Sequence, residues 1–562
     1  MGRANTPASA MRSGHEGSAR AAGRPDNRAA HRAGVLSGAV GFASRGLVQA
    51  MLFGVTIVAT RVLSVAEFGA YALGSLLLVM ARQLFYVGPY EYLLKARERP
   101  GLAGACLAAN LIQSVVLAGV LAGAWLAARL FLAEPMVGAI LGMLIPSLFL
   151  AALGAWYEAV LLRAVRVRRY YATTLAGDTA GALIAVLLLL RGWGVAALVA
   201  QTYVRHLVMI ALYAGATGER PGFGPGLAAT GEVLRWSRAR YVAILLTFTS
   251  AYGGDLVLGV SLSPAATGLF RAASRVVTAL TDLFCQPLQK IAQTNLSAAH
   301  ARGQDSGTNW LAMLAGVGAI AWAGLVALGF TASELVPLVL GDKWAPAVPL
   351  VIAFCFAKGL TVIDAVTTSF LVCHDRQRAM LKVQGATALA VIALALLGAP
   401  LGPLGVAVGV GLAGLGMTVA YWIMVMRISR ADGAAVIEFL RTCAPPVLAV
   451  TAVLAMLAWA VPGLRGGASI ALRLGAAGAA FAIAACLGRE RLLAAIGSLG
   501  HLPVAGPVAG PIAGPAPAPG PTASPGTEAG KPAPASFVPA IPLGGGGSAP
   551  MALPTAGPAA RR

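Results

Sequence analysis

Long apolar runs follow one another along most of this chain, and the short gaps between them alternate in their content of lysine and arginine. A run of about 20 apolar residues is what an α-helix needs to cross a bilayer. One basic gap holds Arg163, Arg166, Arg168 and Arg169, whereas the gaps on either side of it hold Arg129 and Arg191. Because cytoplasmic loops carry the excess of Lys and Arg, the alternation predicts a multi-pass helical protein with both termini in the cytoplasm.

The composition agrees with this prediction and excludes a large soluble core. Hydrophobic residues make up 58% of the 562 residues and charged residues 11%, against about 25% charged residues in soluble domains. The net charge is +21, but the basic residues lie in short clusters between apolar runs, which predicts contact with anionic membrane lipids rather than with nucleic acid. The six cysteines form no CxxC pair, so we expect neither a metal site nor a disulfide framework, and no cofactor.

We predict an all-α integral membrane protein of about 14 transmembrane helices, with two six-helix lobes in parallel repeat around a central cavity and two extra C-terminal helices. The predicted segments are a disordered basic cytoplasmic N-terminus (1–33), an N-lobe of helices 1–6 (34–215), a cytoplasmic linker (216–240), a C-lobe of helices 7–12 (241–426), helices 13–14 (427–488) and a disordered cytoplasmic tail rich in Pro, Ala and Gly (489–562).

An internal repeat indicates how the two lobes are related. Residues 64–85 align without gaps with residues 263–284, so that Gly69 meets Gly268 and Tyr71 meets Phe270. The two copies are six predicted helices apart, an even number, and therefore have the same orientation. A parallel duplication of this kind is a transporter design in which the substrate site lies between the halves.

Charged side chains inside the predicted helices are the candidate functional residues. Arg271 and Arg275 lie four residues apart, so both project from one side of a helix. A charged residue at the bilayer centre costs about 2.5–3.5 kcal/mol, and it normally faces a protein interior or a water-filled cavity. The polar face of this helix continues through Thr278, Asp282 and Gln286. The other deep candidates are the cations Arg45, Arg82, Arg205 and Lys358, the carboxylates Asp178, Asp255 and Asp364, and the amides Gln49 and Gln83.

Two roles remain open for the four carboxylates, Asp282 among them. An intramembrane carboxylate either serves as counter-ion to a nearby arginine or carries a coupled ion, Na+ or H+. The counter-ion role is natural for Asp282, which shares the polar face of its helix with Arg275. The sequence contains no P-loop, so a transport cycle must draw its energy from a gradient, the membrane potential or consumption of the product.

Three motifs in matching order resemble one known family. They are Thr60-Arg61-Val62-Leu63 with 67–73 (EFGAYAL), 268–275 (GLFRAASR) continuing through Gln286-Pro287-Leu288 to Asn295-Leu296-Ser297, and 340–347 (LGDKWAPA). Together they resemble the O-antigen and exopolysaccharide flippases of the multidrug/oligosaccharidyl-lipid/polysaccharide exporter superfamily. The chain departs from that pattern at Asn295, in a region where the family often has Pro before its Ser, and in its long tail.

The resemblance implies a transporter, not an enzyme, that moves an undecaprenyl-pyrophosphate-linked glycan from the cytoplasmic to the periplasmic leaflet of the bacterial inner membrane. It implies membrane lipids and the polysaccharide polymerase and assembly machinery as further partners. A diphosphate headgroup needs cations deep in the membrane, and the planar fork of arginine suits phosphate oxygens. Two alternatives stay open: a flippase for the peptidoglycan precursor lipid II, and a multidrug cation antiporter, which the basic balance of the deep charges disfavours.

Overall fold

The structure is a computed structural model, and it describes residues 46–97, 99–131, 135–164, 166–222, 227–301, 306–429, 433–461 and 466–490. The predicted N-terminal segment 1–33, the start of the first helix and nearly all of the predicted tail lie outside these residues. Within them every regular element is helical.

The α-helices are, in chain order, α1 (Gly46–Val62), α2 (Val65–Phe85), α3 (Glu91–Lys95), α4 (Leu102–Phe131), α5 (Pro135–Leu144), α6 (Ser147–Arg163), α7 (Val167–Leu190), α8 (Ala196–Thr217), α9 (Leu227–Ser261), α10 (Pro264–Ala301), α11 (Ser306–Leu340), α12 (Val348–Thr361), α13 (Asp364–Cys373), α14 (Gln377–Gly398), α15 (Gly402–Ser429), α16 (Gly433–Ala460) and α17 (Gly467–Leu487). A π-helical turn (Tyr86–Tyr90) joins α2 to α3, and 3-10 turns precede α12 (Asp342–Ala347) and α15 (Ala399–Leu401).

Eleven segments of the described chain are long and apolar enough to cross a membrane, which agrees with a multi-pass protein. The predicted count of fourteen is not confirmed. One of the eleven segments, Gln377–Ser429, contains both α14 and α15. The α10 helix is not among the eleven, because the polar face that carries Arg271 and Arg275 lowers its mean hydropathy.

The two aligned segments begin alike and lie against each other. Ser64 caps α2 by accepting from the Glu67 amide at 3.2 Å, and Ser263 accepts from the Ala266 amide at 3.2 Å at the start of α10. The helices cross at the aligned glycines. A methyl group on Gly69 would overlap the Pro264 carbonyl, and one on Gly268 would overlap the Val65 carbonyl, the residue aligned with Pro264. The contact between the halves is therefore pseudo-symmetric at this end of the bundle.

This crossing makes a stability prediction. Gly69→Ala forces the backbones of α2 and α10 apart, and overpacking of this kind typically costs about 1–3 kcal/mol. We expect a clear loss of thermal stability of the purified protein in detergent. The matched control is Gly54→Ala in α1, where an added Cβ has no neighbour within 4 Å, so its melting temperature should stay level or rise slightly. Equal melting temperatures for the two variants would contradict the close contact of α2 and α10 at Gly69.

The α9 helix joins the two halves. Its first turns extend through 227–240, part of the predicted linker, and pack on the N-terminal half: Val233 belongs to an apolar cluster with Leu93, and Glu232 accepts from Arg99 at 2.7 Å. Farther along, Ser250 donates to the Gln384 carbonyl of α14 at 3.2 Å. One continuous helix thus contacts both halves. The predicted domain boundaries themselves remain predictions.

Helices α16 and α17 attach to the C-terminal half through α11. Arg473 of α17 forms an ion pair of 3.0 Å with Glu334 of α11, and both side chains are largely buried. Arg473 also donates to the Phe330 carbonyl at 2.8 Å. The attachment is therefore polar as well as apolar.

Candidate functional site

In the N-terminal half, two arginines lie together within the helix bundle. Arg205 of α8 contacts Asp178 of α7 at 2.6 Å, and the Asp178 side chain is only 3% exposed. Arg82, in the last turn of α2, interacts electrostatically with both. The close approach of α7 and α8 permits the pair, since Gly181 of α7 lies directly against Arg205.

The C-terminal half has a similar arrangement. Arg271 of α10 forms an ion pair of 3.3 Å with Asp255 of α9, and the Asp255 side chain is 6% exposed. The Arg271 guanidinium also lies 4.8 Å from the ring centroid of Tyr252, in a cation–π contact. Arg275, one turn later on α10, is exposed and interacts electrostatically with Arg271, Tyr252 and Asp282.

Tyr71 of α2 connects the two groups. Its hydroxyl interacts electrostatically with Arg82 on one side and with Arg275 on the other, and it lies 3.5 Å from the Leu198 carbonyl of α8. Tyr71 therefore interacts with a cation from each half, and the site between the halves that the repeat predicts remains a prediction.

Paired and unpaired cations differ in what they can offer a ligand. Among the described side chains, Arg205 and Arg271 each have a carboxylate partner, whereas Arg82 and Arg275 have no ion pair within 4 Å. The Nε atom of Arg82 is buried and has no hydrogen-bond acceptor in the described part of the chain. A buried donor without an acceptor is costly, so this atom of Arg82 has a hydrogen bond still to make.

The remaining predicted residues fall into three groups. Lys358 lies in the last turn of α12 and Asp364 begins α13; Asp364 accepts from Thr418 at 2.7 Å and interacts electrostatically with Lys358. Gln49, Gln83 and Thr278 are half-buried in α1, α2 and α10. Arg45 lies outside the described residues, and Gln286 belongs to α10 with its side chain outside the described part.

The first and third family motifs meet at the predicted outer end. Arg61, at the end of α1, donates to the Val339 carbonyl at 3.3 Å and to the Leu338 carbonyl, both at the end of α11. In return Lys343 donates to the Arg61 carbonyl at 3.0 Å, and Trp344 Nε1 donates to the Thr60 carbonyl at 2.8 Å. A cation from each half thus binds the carbonyl end of a helix in the other, which joins the two halves at this end of the bundle.

Sequence reasoning missed Tyr71, Tyr252 and Glu158 as members of the site. Tyr71 was visible only as part of a motif and of the repeat, and Tyr252 lies nineteen residues before Arg271 in another helix. Glu158 is 5% exposed and accepts hydrogen bonds from Tyr86 and Tyr90. It stands five residues before the basic gap that begins at Arg163, and nothing in that spacing marks it as buried.

Among the described residues, no group of three or more His, Cys, Asp and Glu side chains is arranged to hold a metal ion. The side chains named above for the site are arginines, tyrosines and carboxylates.

The architecture is similar to that of solved transporters. The "Lipid II flippase MurJ, inward closed conformation" matches with a TM-score of 0.67 at 11% identity, over 82% of this chain and 100% of that chain. An inward-facing multidrug resistance MATE family transporter of the MOP superfamily matches with a TM-score of 0.54 at 14% identity, over 68% of this chain and 95% of that chain. At such identities the likeness establishes the fold, and it confirms the prediction of an all-helical transporter fold.

The family comparison adds what the fold alone does not. No curated protein matches the sequence. Residues 58–349, slightly more than half of the chain, match the family described as "Polysaccharide biosynthesis protein". That range includes both arginine groups and ends before Lys358 and Asp364. The two structural neighbours are a flippase and a multidrug transporter by their descriptions, which agrees with the expectation of a transporter rather than an enzyme, and the apolar helices agree with a multi-pass membrane protein. The chain belongs to the polysaccharide biosynthesis protein family.

Proposed function

We propose that this protein moves an oligosaccharide linked to undecaprenyl pyrophosphate from the cytoplasmic to the periplasmic leaflet of the bacterial inner membrane, for O-antigen, capsule or exopolysaccharide synthesis. The observation that carries the proposal is that Arg82 and Arg275, one from each half, both interact electrostatically with Tyr71 and have no ion pair within 4 Å among the described side chains.

The chemistry of the substrate explains why such an arrangement is needed. A diphosphate must leave water while its prenyl chain remains in lipid, and an unpaired phosphate in an apolar medium is prohibitively costly. Arginine replaces the lost hydration with charge-assisted hydrogen bonds, often in pairs to one phosphate group. Arg82 and Arg275 are the described cations with donors available for this purpose.

The paired arginines have a supporting role in this proposal. Asp178 and Asp255 hold Arg205 and Arg271 in fixed positions next to Arg82 and Arg275. Arg82 and Arg275 have no ion pair within 4 Å among the described side chains, so their donors favour an anion over an organic cation. Together with the match to a polysaccharide biosynthesis family, this is the reason to prefer a lipid-linked glycan to a multidrug substrate.

Alternating access is the mechanism that the architecture supports. At the predicted outer end the two halves are joined by Arg61 and Lys343 and by the crossing of α2 and α10. Release to the opposite leaflet requires these contacts to separate while the halves rock about the site. The coupling ion, Na+ or H+, and an association with the polymerase machinery belong to the proposal as well.

The test is translocation in proteoliposomes. We expect the purified protein to flip a fluorescent glycan attached to undecaprenyl pyrophosphate, measured as loss of the fraction protected from a membrane-impermeant quencher. Parallel vesicles contain a lipid II analogue or an organic cation. Faster transport of lipid II would assign the peptidoglycan pathway instead, and transport of the cation alone would overturn the proposal.

A further inference from the structure

One face of α9 is turned toward the N-terminal half, and two contacts define it. Tyr241 donates to Gln113 of α4 at 2.9 Å, and its ring lies against Gly88 of the π-helical turn. Farther along, Gly259 lies directly against the side chain of Leu73 of α2. Tyr241 and Gly259 are eighteen residues apart, which is about five turns of an α-helix, so they point in the same direction.

Tyr252 lies on this same face, between the two contacts. It comes eleven residues after Tyr241 and seven before Gly259, spacings of about three and two helical turns. The opposite face of α9 packs on α14, where Ser250 donates to the Gln384 carbonyl at 3.2 Å. The half-buried side chain of Tyr252 therefore faces the N-terminal half across the bundle.

The ring of Tyr252 is held in place by the C-terminal half. Its centroid lies 4.7 Å from that of Phe248, one turn earlier on α9, and Phe248 is 4% exposed. The Arg271 guanidinium lies 4.8 Å from the Tyr252 centroid, and Asp255 holds that guanidinium in an ion pair of 3.3 Å. A side chain fixed by its neighbours in this way is preorganised for binding.

The hydroxyl group of Tyr252 makes no hydrogen bond to any residue that the structure describes. The other tyrosines of α2, the π-helical turn and α9 each have a partner there; they are Tyr71, Tyr86, Tyr90 and Tyr241. A phenol can donate one hydrogen bond and also accept. The Tyr252 hydroxyl is therefore available to a polar ligand.

Tyr252 is a neighbour of Arg275, the cation of this half that has no ion pair within 4 Å among the described side chains. Two tyrosines, Tyr71 and Tyr252, interact electrostatically with Arg275, and the hydroxyl of Tyr71 already contacts the Leu198 carbonyl at 3.5 Å. In a lipid-linked glycan the first sugar is bonded directly to the diphosphate. A diphosphate held by Arg275 therefore places that sugar next to the phosphate site, where Tyr252 has its free hydroxyl.

The chemistry of a tyrosine matches that of a sugar ring. A pyranose has C–H groups on its faces and hydroxyl groups around its rim. The face of an aromatic ring carries partial negative charge, which attracts the partly positive hydrogens of C–H groups, and the phenol oxygen adds a polar contact at the edge. Tyrosine thus offers a stacking surface and a hydrogen bond in one side chain, whereas a prenyl chain can use only the first.

We infer that Tyr252 is a specificity-determining residue that binds the sugar bonded to the diphosphate, with its ring against a pyranose face and its hydroxyl on a sugar hydroxyl. The inference rests on the proposed function, because Arg275 must hold the diphosphate for the sugar to reach Tyr252. The arginines bind the phosphate groups whatever these carry. Tyr252 distinguishes a glycosylated diphosphate from one without a sugar.

Probes of equal charge that differ only in the sugar test the inference. Farnesyl diphosphate carrying N-acetylglucosamine, galactose or a methyl group on its terminal phosphate is titrated into the detergent-solubilised full chain, and calorimetry gives each Kd. We expect at least one glycosylated probe to bind the wild type about tenfold more tightly than the methyl ester. Tyr252→Leu should lower this ratio to about one, while the Kd of the methyl ester stays within about threefold of the wild-type value.

Two further variants complete the test. Tyr252→Phe keeps the ring and its volume, so it protects the test against misfolding of Tyr252→Leu; losing only the hydroxyl, it should lower the ratio by about threefold. The matched control is Tyr171→Leu, the same change at a half-buried tyrosine of α7, which should keep the wild-type ratio.

The outcomes separate the inference from the proposed function. An unchanged ratio in Tyr252→Leu or Tyr252→Phe would overturn the inference, as would a wild-type ratio of one for both sugars. Equal losses of affinity for all three probes in Tyr252→Leu would also overturn it, because the ring would then serve only to position Arg271. Failure of the wild-type protein to bind any of the three probes would instead refute the proposed function.

Discussion

Arg82→Ala and Arg275→Ala should each reduce surface polysaccharide by about 10- to 100-fold in a strain that depends on this protein, while the amount of protein in the membrane stays normal. Hydrogen bonds to charged groups contribute about 1.5–3 kcal/mol each, which corresponds to this range. The protein should remain folded, because neither side chain has an ion pair within 4 Å among the described residues and its removal leaves no buried carboxylate alone. The measurement is surface glycan together with an immunoblot of membranes.

Three variants make this result interpretable. Arg275→Lys keeps the charge but loses the planar fork, so it should recover part of the activity. Arg191→Ala removes an exposed arginine at the end of α7 and should change nothing. Normal glycan output from the double variant Arg82→Ala with Arg275→Ala would show that these two arginines are not needed to bind the phosphate groups.

The contrast between Arg275 and Arg271 was not predictable from the sequence. Both lie on one face of one helix, and spacing alone gives them equal roles. The structure separates them, because Asp255 comes from the neighbouring helix α9 and reaches Arg271. Which carboxylate meets which arginine depends on how the helices pack, and a hydropathy pattern contains no information on that.

The repeat, in contrast, was readable, because residues 64–85 align with residues 263–284. Ser64 and Ser263 begin their helices because a serine hydroxyl caps the first amides, and Gly69 and Gly268 stand where two backbones touch. The serine caps involve only residues that are neighbours in the chain, and the two glycines occupy matching positions of the repeat. Tyr71 shows the limit: its place in a motif was visible, but its interaction with Arg275 of the other half follows only from the meeting of the two halves.

The paired arginines should behave in the opposite way to the unpaired ones. Arg205→Ala removes the ion-pair partner of Asp178, whose side chain is only 3% exposed, and removing one partner of a buried ion pair typically costs about 3–5 kcal/mol. We expect a strong loss of folded protein from the membrane, measured by fluorescence-detected size-exclusion chromatography of detergent extracts. Arg271→Ala should show the same effect to a smaller degree, because its contact with Asp255 is longer, at 3.3 Å against 2.6 Å.

Removing the second partner separates a structural role from a role in binding. Arg205→Met combined with Asp178→Leu replaces the pair by apolar groups of similar size, so the folded fraction should return. If Arg205 only positions Arg82, glycan export should return with it, whereas a direct contact with phosphate leaves the refolded double variant inactive. Normal abundance of Arg205→Ala alone would show that the pair contributes little to the fold. Arg205 would then have to be grouped with Arg82 and Arg275 as a cation available to the substrate.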